Sequence, residues 1–86
     1  MIFTVYILYS FTLDRYYVGY TGDLLEERIR KHNSSKKKGF TKTATDWNAV
    51  YTETFSSKQE AMKRESGIKA KKSRKYIEML VQSTPI

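Results

Sequence analysis

Two tyrosines lie in short strand-forming runs near the start of the chain. Val5-Tyr6-Ile7 is followed ten residues later by Tyr17-Val18-Gly19, close enough for the two runs to pair as a β-hairpin. Tyrosine is common in strands, so one interpretation is a sheet with an aromatic face. The other is that both hydroxyls point to one place. The glycine indicates either a β-bulge or a close approach of another group to the backbone.

An arginine and the chain's single histidine follow on a predicted helix. Arg28 and His32 are one helical turn apart, and with Leu25 and Ile29 they form one stripe at helical spacing. The stripe that packs on the sheet therefore carries a cation beside the two tyrosines. The alternative is an arginine whose stem packs at the rim while its charge extends to water.

A carboxylate lies within the apolar stripe of a later helix. This stripe is predicted to contain Ala61, Met62 and Ile68, with Glu65 in its middle. Burying an unpaired carboxylate is costly, so we expect Glu65 to have a cationic partner. The candidates are a metal ion, or a lysine or arginine in an internal salt bridge.

These residue types could hydrolyse a phosphodiester with the help of one divalent ion. The glutamate would hold the ion, the arginine would neutralise charge on the phosphate, and a tyrosine or the histidine would orient or deprotonate water. The pattern places no second carboxylate nearby, which disfavours a two-metal site or a glycosidase pair. The chain has no cysteine, which excludes thiolate chemistry. It also has no glycine-rich phosphate loop of the nucleotide-binding kind.

Positive charge is concentrated in the later part of the chain. The net charge is +7, and from Arg30 onward there are fourteen basic residues and five acidic ones. This polarity suggests a polyanionic partner, most simply nucleic acid, although a solvated lysine-rich surface has the same composition. The residues predicted to bind nucleic acid are Lys36, Lys37, Lys38, Lys42, Lys69, Lys71 and Lys72.

Three strands and three helices must position these residues. Residues 3–9, 16–20 and 47–55 have strand composition, and Val50 and Tyr51 are expected on opposite faces of the third strand. Thr21 or a capping box of Asp23 and Glu26 is predicted to begin the first helix. The second helix is predicted to begin at a capping box and end near residue 69, and a serine can cap the third; those caps are Ser57 with Glu60, and Ser73.

The length predicts one small domain, residues 1–81, followed by a frayed tail at residues 82–86. No apolar run is long enough to span a bilayer, and the N-terminus lacks the layout of a signal peptide. We therefore expect a cytoplasmic protein that does not contact the membrane.

The order of these motifs resembles the GIY-YIG nuclease domain. The segments that carry the resemblance are the two tyrosine triplets, Arg28 to Asn33, and Glu60 to Glu65, and the likeness extends from about Phe3 to Leu80. The chain looks most like the short stand-alone bacterial members, which are similar to the nuclease domain of a structure-specific DNA endonuclease subunit. The resemblance implies an α/β (α+β) fold in which helices flank a small three-stranded antiparallel sheet.

The resemblance also implies roles for five residues. Tyr6 and Tyr17 match the motif tyrosines, one of which acts as or assists the general base, and Arg28 matches the arginine that steadies the scissile phosphate. His32 matches a histidine found in many members, and Glu65 matches the glutamate that binds one divalent ion, Mg²⁺ or Mn²⁺. Gly19 matches the motif glycine.

The implied activity is metal-dependent endonucleolytic cleavage of DNA, with branched or damaged DNA as candidate substrates and RNA as an alternative. A protein partner is expected to supply targeting.

Two positions depart from the family pattern. Val5 replaces the first glycine of the motif, which changes strand packing more than chemistry. No asparagine follows Glu65, where several family nucleases have one, and Ser73 or Gln82 are the polar candidates for that contact. This departure supports an alternative function, a nucleic-acid-binding module that kept the fold and lost catalysis, whose affinity would depend on its lysines and on salt.

Overall fold

The structure, a computed structural model, describes residues 1–34 and 44–83. Its elements in chain order are β1 (Phe3–Ser10), β2 (Arg15–Thr21), α1 (Leu25–His32), β3 (Trp47–Phe55), α2 (Lys58–Ala70) and α3 (Arg74–Ser83). The strands form one antiparallel sheet in the order β2-β1-β3. The predicted fold class, an α+β domain with a three-stranded antiparallel sheet and flanking helices, is confirmed.

The central strand β1 is buried on both faces. Val5 and Ile7 point to one face and Tyr6 and Leu8 to the other, as the period-2 pattern predicts, and none of the four is more than 2% exposed. Neighbouring strands cover both edges of β1, and helices cover both of its faces. This strand is therefore the part of the fold on which a site residue is held most rigidly.

The two faces of the sheet are covered by different helices. On one face, Ala61 and Ile68 of α2 join the core, and α3 packs against them through residues that include Ile77. On the opposite face, Leu25 and Ile29 of α1 pack against a cluster that contains Tyr6, Leu8, Ala44 and Trp47. The face of the sheet that α1 covers therefore carries both predicted tyrosines, Tyr6 and Tyr17.

A β-bulge changes the register of β3. Ile7 pairs with Tyr51 while Leu8 pairs with Ala49, so Val50 is an extra residue with no partner on β1. Val50 and Tyr51 both pack against the cluster under α2 and α3. The prediction that they lie on opposite faces was wrong, because the bulge interrupts the alternation on which it relied.

The capping predictions were right for two helices and wrong for α1. Ser57 Oγ accepts a hydrogen bond from the Glu60 amide at 3.2 Å, and Ser73 Oγ accepts one from the Tyr76 amide at 3.1 Å. In contrast, the N-cap of α1 is Leu24, whose side chain makes no capping bond. The predicted caps fail because Thr21 is the last residue of β2 and its hydroxyl accepts the Asp23 amide, which forms a turn ahead of the helix.

The Met62 prediction also needs correction, whereas the frayed tail at residues 82–86 stays a prediction. Met62 is 43% exposed and lies outside the buried stripe of α2, because Ala61 and Ile68 already fill the contact with the sheet. Gln82 and Ser83, the first two residues of that tail, continue α3, and residues 84–86 lie outside the described residues. Within the described ranges, no helix combines the length and apolar character that a bilayer span requires.

Candidate active site

Tyr6 crosses over Gly19 on the face that α1 covers. The two residues are paired across β1 and β2, and a Cβ added to Gly19 would lie 2.7 Å from the Tyr6 hydroxyl oxygen. The β1–β2 register has no shift, so the glycine marks a close approach rather than a bulge. Because β2 is an edge strand, the close approach over Gly19 allows the Tyr6 hydroxyl to reach towards the β2 edge of the sheet.

Both tyrosine rings contact the imidazole of His32. The Tyr6 hydroxyl oxygen is 3.2 Å from His32 Nε2, within hydrogen-bond distance, and the Tyr17 and His32 ring centroids are 4.7 Å apart. Tyr17 pairs with Leu8, which places it on the same sheet face as Tyr6. The structure thus brings together three of the predicted residues, and His32 is only 5% exposed.

Arg28 lies one turn before His32 on α1 and interacts with Tyr6. Burial raises the pKa of the Tyr6 hydroxyl above its ordinary value, and a hydrogen bond with the Arg28 guanidinium opposes that increase. The Arg28 Nε atom is buried, with no hydrogen-bond partner in the described part of the chain. A buried donor without a partner is unusual, and it is available to an anionic ligand.

Glu65 approaches this cluster from α2, at the edge of the sheet. Its side chain is 17% exposed, and its Oε2 lies 3.1 Å from Lys69 Nζ. The same ammonium lies 5.8 Å from the centroid of the Tyr17 ring, and the charge of Glu65 contributes to raising the Tyr6 pKa. The cationic partner of Glu65 in this structure is therefore a lysine on the same helix, which was one of the predicted alternatives.

The residues at this place are compatible with one divalent ion. Glu65 lies near the tyrosines, since its charge acts on Tyr6 and its partner Lys69 lies over the Tyr17 ring. Among the described residues no group of three or more His, Cys, Asp and Glu side chains could hold a metal, so an ion here would have Glu65 as its protein ligand. Mg²⁺ commonly keeps several waters and is held by one or two carboxylates together with substrate phosphate. Glu65 already accommodates a cation, the ammonium of Lys69, and an ion at this carboxylate would have to replace it.

The predicted nucleic-acid-binding lysines fall into two sets. Lys36, Lys37, Lys38 and Lys42 lie outside the described residues. Lys69, Lys71 and Lys72 are exposed at the C-terminal end of α2, and the Lys71 ammonium lies 5.4 Å from the Tyr76 ring centroid. Lys69 therefore lies beside Glu65, and Lys71 and Lys72 follow it directly after α2.

The sequence interpretation missed two sets of contacts at the site, those of Trp47 with Tyr17 and Asn33, and that of Lys69 with Glu65. Trp47 is 1% exposed and packs edge-on to Tyr17 at 6.4 Å, while both amide atoms of Asn33 bond to its backbone at 2.7 and 3.1 Å. These contacts fix the end of α1 against β3. Lys69 was predicted to contact nucleic acid, but its position four residues after Glu65 is the spacing of a helical ion pair and could have indicated their contact.

Replacing Gly19 with alanine is expected to destabilise the domain. The added Cβ would overlap the Tyr6 ring, which is only 2% exposed and cannot easily move aside, so we expect a cost of about 1–3 kcal/mol. Thermal unfolding followed by circular dichroism would measure this as a lower Tm. Gly67→Ala is the matched control, because its Cβ meets nothing within 4 Å and alanine favours the helix, so Tm should rise. Equal shifts in both variants would contradict the close approach.

The three-stranded sheet, the paired tyrosines and the arginine–histidine helix define a small nuclease-type domain. A family model described as the GIY-YIG catalytic domain matches residues 2–77. The chain therefore belongs to the GIY-YIG family, a family of nucleases whose members act on nucleic acid and generally use divalent metals.

Individual relatives agree with this assignment. The chain is 44% identical over 64 residues to a UPF0213 protein of Staphylococcus haemolyticus, covering 74% of this chain and 77% of the relative. It is 39% identical over 66 residues to the UPF0213 protein YazA of Bacillus subtilis, covering 73% and 66% respectively. Its structure is similar to the solution NMR structure of the UPF0213 protein BH0048 from Bacillus halodurans, with a TM-score of 0.59, 39% identity, and coverage of 95% of this chain and 84% of that chain.

Proposed function

We propose that the protein is a metal-dependent endonuclease that hydrolyses DNA phosphodiester bonds. The observation that carries the proposal is the buried Arg28 Nε, a donor without a partner among the described residues, next to the hydrogen-bonded Tyr6 and His32. An anionic group placed there would satisfy the guanidinium and lie beside two groups able to exchange a proton. A scissile phosphate with its attacking water fits both requirements.

The base in this proposal is the pair formed by Tyr6 and His32. Burial raises the pKa of Tyr6, so at neutral pH the phenol keeps its proton and cannot act as a base alone. It can accept a proton from water as it passes its own proton to His32 Nε2, provided that this nitrogen is unprotonated. Tyr17, packed against the imidazole, would hold the ring in the orientation that this transfer requires.

Two cations would balance the phosphate. Arg28 would contact its non-bridging oxygens and steady the charge that develops as water attacks. Glu65 would hold a divalent ion, Mg²⁺ or Mn²⁺, which when bound supplies further positive charge at the phosphate. Lys69 would then leave the carboxylate, and its ammonium could remain close enough to contact the nucleic-acid backbone.

A second candidate function is a nucleic-acid-binding module without catalysis. Two observations favour it: the Lys69 ammonium already neutralises Glu65, and the sequence has no asparagine after that glutamate. In such a protein the lysine would replace the metal permanently. Binding would then require the basic residues alone, and its affinity would fall steeply with salt.

A cleavage assay on a panel of nucleic acids separates these functions. Purified protein would be incubated with single-stranded, duplex, nicked, flap and four-way-junction DNA, and with RNA, in magnesium, manganese or chelator. Metal-dependent cutting that Glu65→Gln loses would support the nuclease, and the preferred DNA would identify its substrate class. Salt-sensitive binding without cutting in any metal would reject the nuclease proposal for the isolated chain and favour the binding module, or a nuclease that needs a protein partner.

Removing the competing lysine is expected to strengthen metal binding. Lys69 and Glu65 form a half-exposed ion pair, a kind that contributes about 0.2–1 kcal/mol, so Lys69→Met should lower the Mn²⁺ dissociation constant by about 1.4- to 5-fold. Electron paramagnetic resonance of free Mn²⁺ would measure this without cleavage. Lys63→Met, which removes an exposed charge from the same helix, controls for net charge. Equal affinities in the two variants would show that Lys69 does not compete with the metal.

A further inference from the structure

A groove runs along the outer edge of β2, beside the candidate site. It consists of two adjoining clefts of about 310 and 580 Å³ between β2 and the junction of α2 and α3. Both clefts are lined by Tyr16, Lys72, Ser73 and Ile77. We call this feature the β2 groove.

The β2 groove begins at the candidate site. Its smaller cleft is also lined by Tyr17, whose ring contacts His32, and by Lys69, whose ammonium pairs with Glu65. Its larger cleft extends to the turn between β1 and β2, where Arg15 and Arg74 contribute further positive charge and Asp14, paired with Arg74 at 2.7 Å, contributes a negative one. A ligand lying in the groove would therefore reach the candidate site at Tyr17, and Glu65 through Lys69.

The lining of the β2 groove combines apolar surface with positive charge. The half-buried side chains of Tyr16 and Ile77 form part of its floor, and Val18 and Ile68 line the cleft nearer the site. The Tyr16 ring packs against Tyr9 at 4.9 Å between centroids, and the Arg74 guanidinium carbon lies 5.2 Å from its centroid, so a planar cation covers this part of the floor. This is the composition expected where bases rest on aromatic and aliphatic groups while lysines follow the phosphates. The bases of a duplex are stacked on each other and cannot offer their faces to such a surface, whereas unpaired nucleotides can.

The backbone at Lys72 indicates a functional constraint on this residue. Lys72 has φ +48°, the left-handed conformation that usually selects glycine after the end of a helix. Its amide bonds to the Lys69 carbonyl at 3.1 Å, and within the described ranges its side chain forms no ion pair. A strained lysine that gains no salt bridge is better explained by a ligand in the groove than by the stability of the fold.

We propose that the β2 groove binds unpaired nucleotides next to the scissile phosphate, with a base against Ile77 and the Arg74 guanidinium that lies over the Tyr16 ring, and a phosphate at Lys72. This proposal rests on the proposed nuclease function for the position of the scissile phosphate. It makes nucleic acid with a single-stranded segment, rather than continuous duplex, the substrate class of the site.

The base contact is tested with two oligonucleotides of equal length and charge. Binding of the intact protein, measured by fluorescence anisotropy in chelator, would compare a single-stranded DNA with the same strand carrying adjacent abasic residues. Stacking predicts at least a five-fold weaker complex for the abasic strand. Equal affinities would overturn the base pocket, because the phosphates are unchanged.

The phosphate contact is tested by Lys72→Gly. Glycine relieves the left-handed strain, so Tm should be unchanged or higher, while affinity for the single strand should fall about three- to ten-fold and its salt slope by about 0.7. Lys72→Asn, which tolerates the same conformation, should weaken binding equally. Lys58→Gly removes a charge about 20 Å away along α2 and should have little effect.

The outcomes distinguish this proposal from the proposed nuclease function. An unchanged affinity in Lys72→Gly, or an equal loss on single-stranded and duplex DNA, would overturn the β2 groove proposal even if the protein cleaves DNA. Because binding is measured in chelator, a base-dependent and Lys72-dependent complex would support the groove even if no cleavage were found, and the nuclease proposal would then fail alone.

Discussion

Glu65→Gln is expected to abolish cleavage while leaving the domain folded. The substitution keeps the size of the side chain but removes the charge that would hold a divalent ion beside Tyr17 and Arg28. Losing the charge stabilisation that a site of this kind supplies commonly costs about 10²–10³-fold in rate. We expect at least that loss in single-turnover cleavage, whichever DNA proves to be the substrate.

The stability of the same variant distinguishes a catalytic from a structural glutamate. The Lys69 partner of Glu65 is 50% exposed, so solvent screens the pair and its loss should cost no more than about 1 kcal/mol. Thermal unfolding should therefore change by only a few degrees. A collapse of Tm together with the loss of cleavage would show instead that the ion pair holds α2 on the sheet.

Glu78→Gln is the matched control for this experiment. Glu78 pairs with Arg74 at the same helical spacing, with 2.9 Å between Nε and Oε2, but on α3. The variant removes the same chemical group from a similar ion pair, so its stability change should be comparable and its cleavage rate close to that of the unmodified protein. An equal loss of cleavage in both variants would mean that net charge, and not the position of Glu65, controls the rate.

The local patterns of the sequence predicted the elements that carry the site. The alternation of Val5 to Leu8 placed Tyr6 on one face of a strand, and the four-residue spacing of Arg28 and His32 placed both on one side of α1. The limits of β3, residues 47–55, also agree with its composition. Each of these features depends on residues near one another in the chain, where the periodicity of strands and helices applies.

The features that sequence reasoning missed depend on contacts between distant segments. The bulge at Val50 is set by how β3 pairs with β1, and α1 begins at an uncapped leucine because the β2 strand extends through Thr21. The contact of Tyr6 with His32 joins residues 26 positions apart. The sequence suggested that the two side chains would be neighbours, but their hydrogen bond depends on the approach of Tyr6 over Gly19.

Arg28 provides the second decisive test, because its two possible roles predict different effects of Arg28→Ala on stability. If the arginine serves the fold, Arg28→Ala should destabilise the domain. If it serves a ligand, its buried Nε without a partner is a cost in the unliganded protein, and removing it should leave Tm nearly unchanged. We expect the second result, together with a loss of cleavage of about 10²–10³-fold.

Arg28→Lys tests whether charge alone is sufficient. Lysine keeps the positive charge but lacks the planar fork and the Nε donor, so we expect it to recover little of the lost rate. Arg30→Ala is the control on the same helix, since Arg30 is 74% exposed and pairs with Glu27. Its cleavage rate should remain within a few-fold of the unmodified protein. Full activity in Arg28→Lys would show that the site needs only a point charge there.

The pKa of Tyr6 gives a measurement of Arg28 that does not depend on cleavage. Burial raises this pKa and the hydrogen bond from Arg28 opposes the increase, so removing the guanidinium should raise it further. Ultraviolet titration, with Tyr6→Phe to identify the signal, would detect phenolate formation at higher pH in Arg28→Ala than in the unmodified protein. A lower or unchanged Tyr6 pKa would mean that the guanidinium does not stabilise the phenolate, and Arg28 could then act on the phosphate alone.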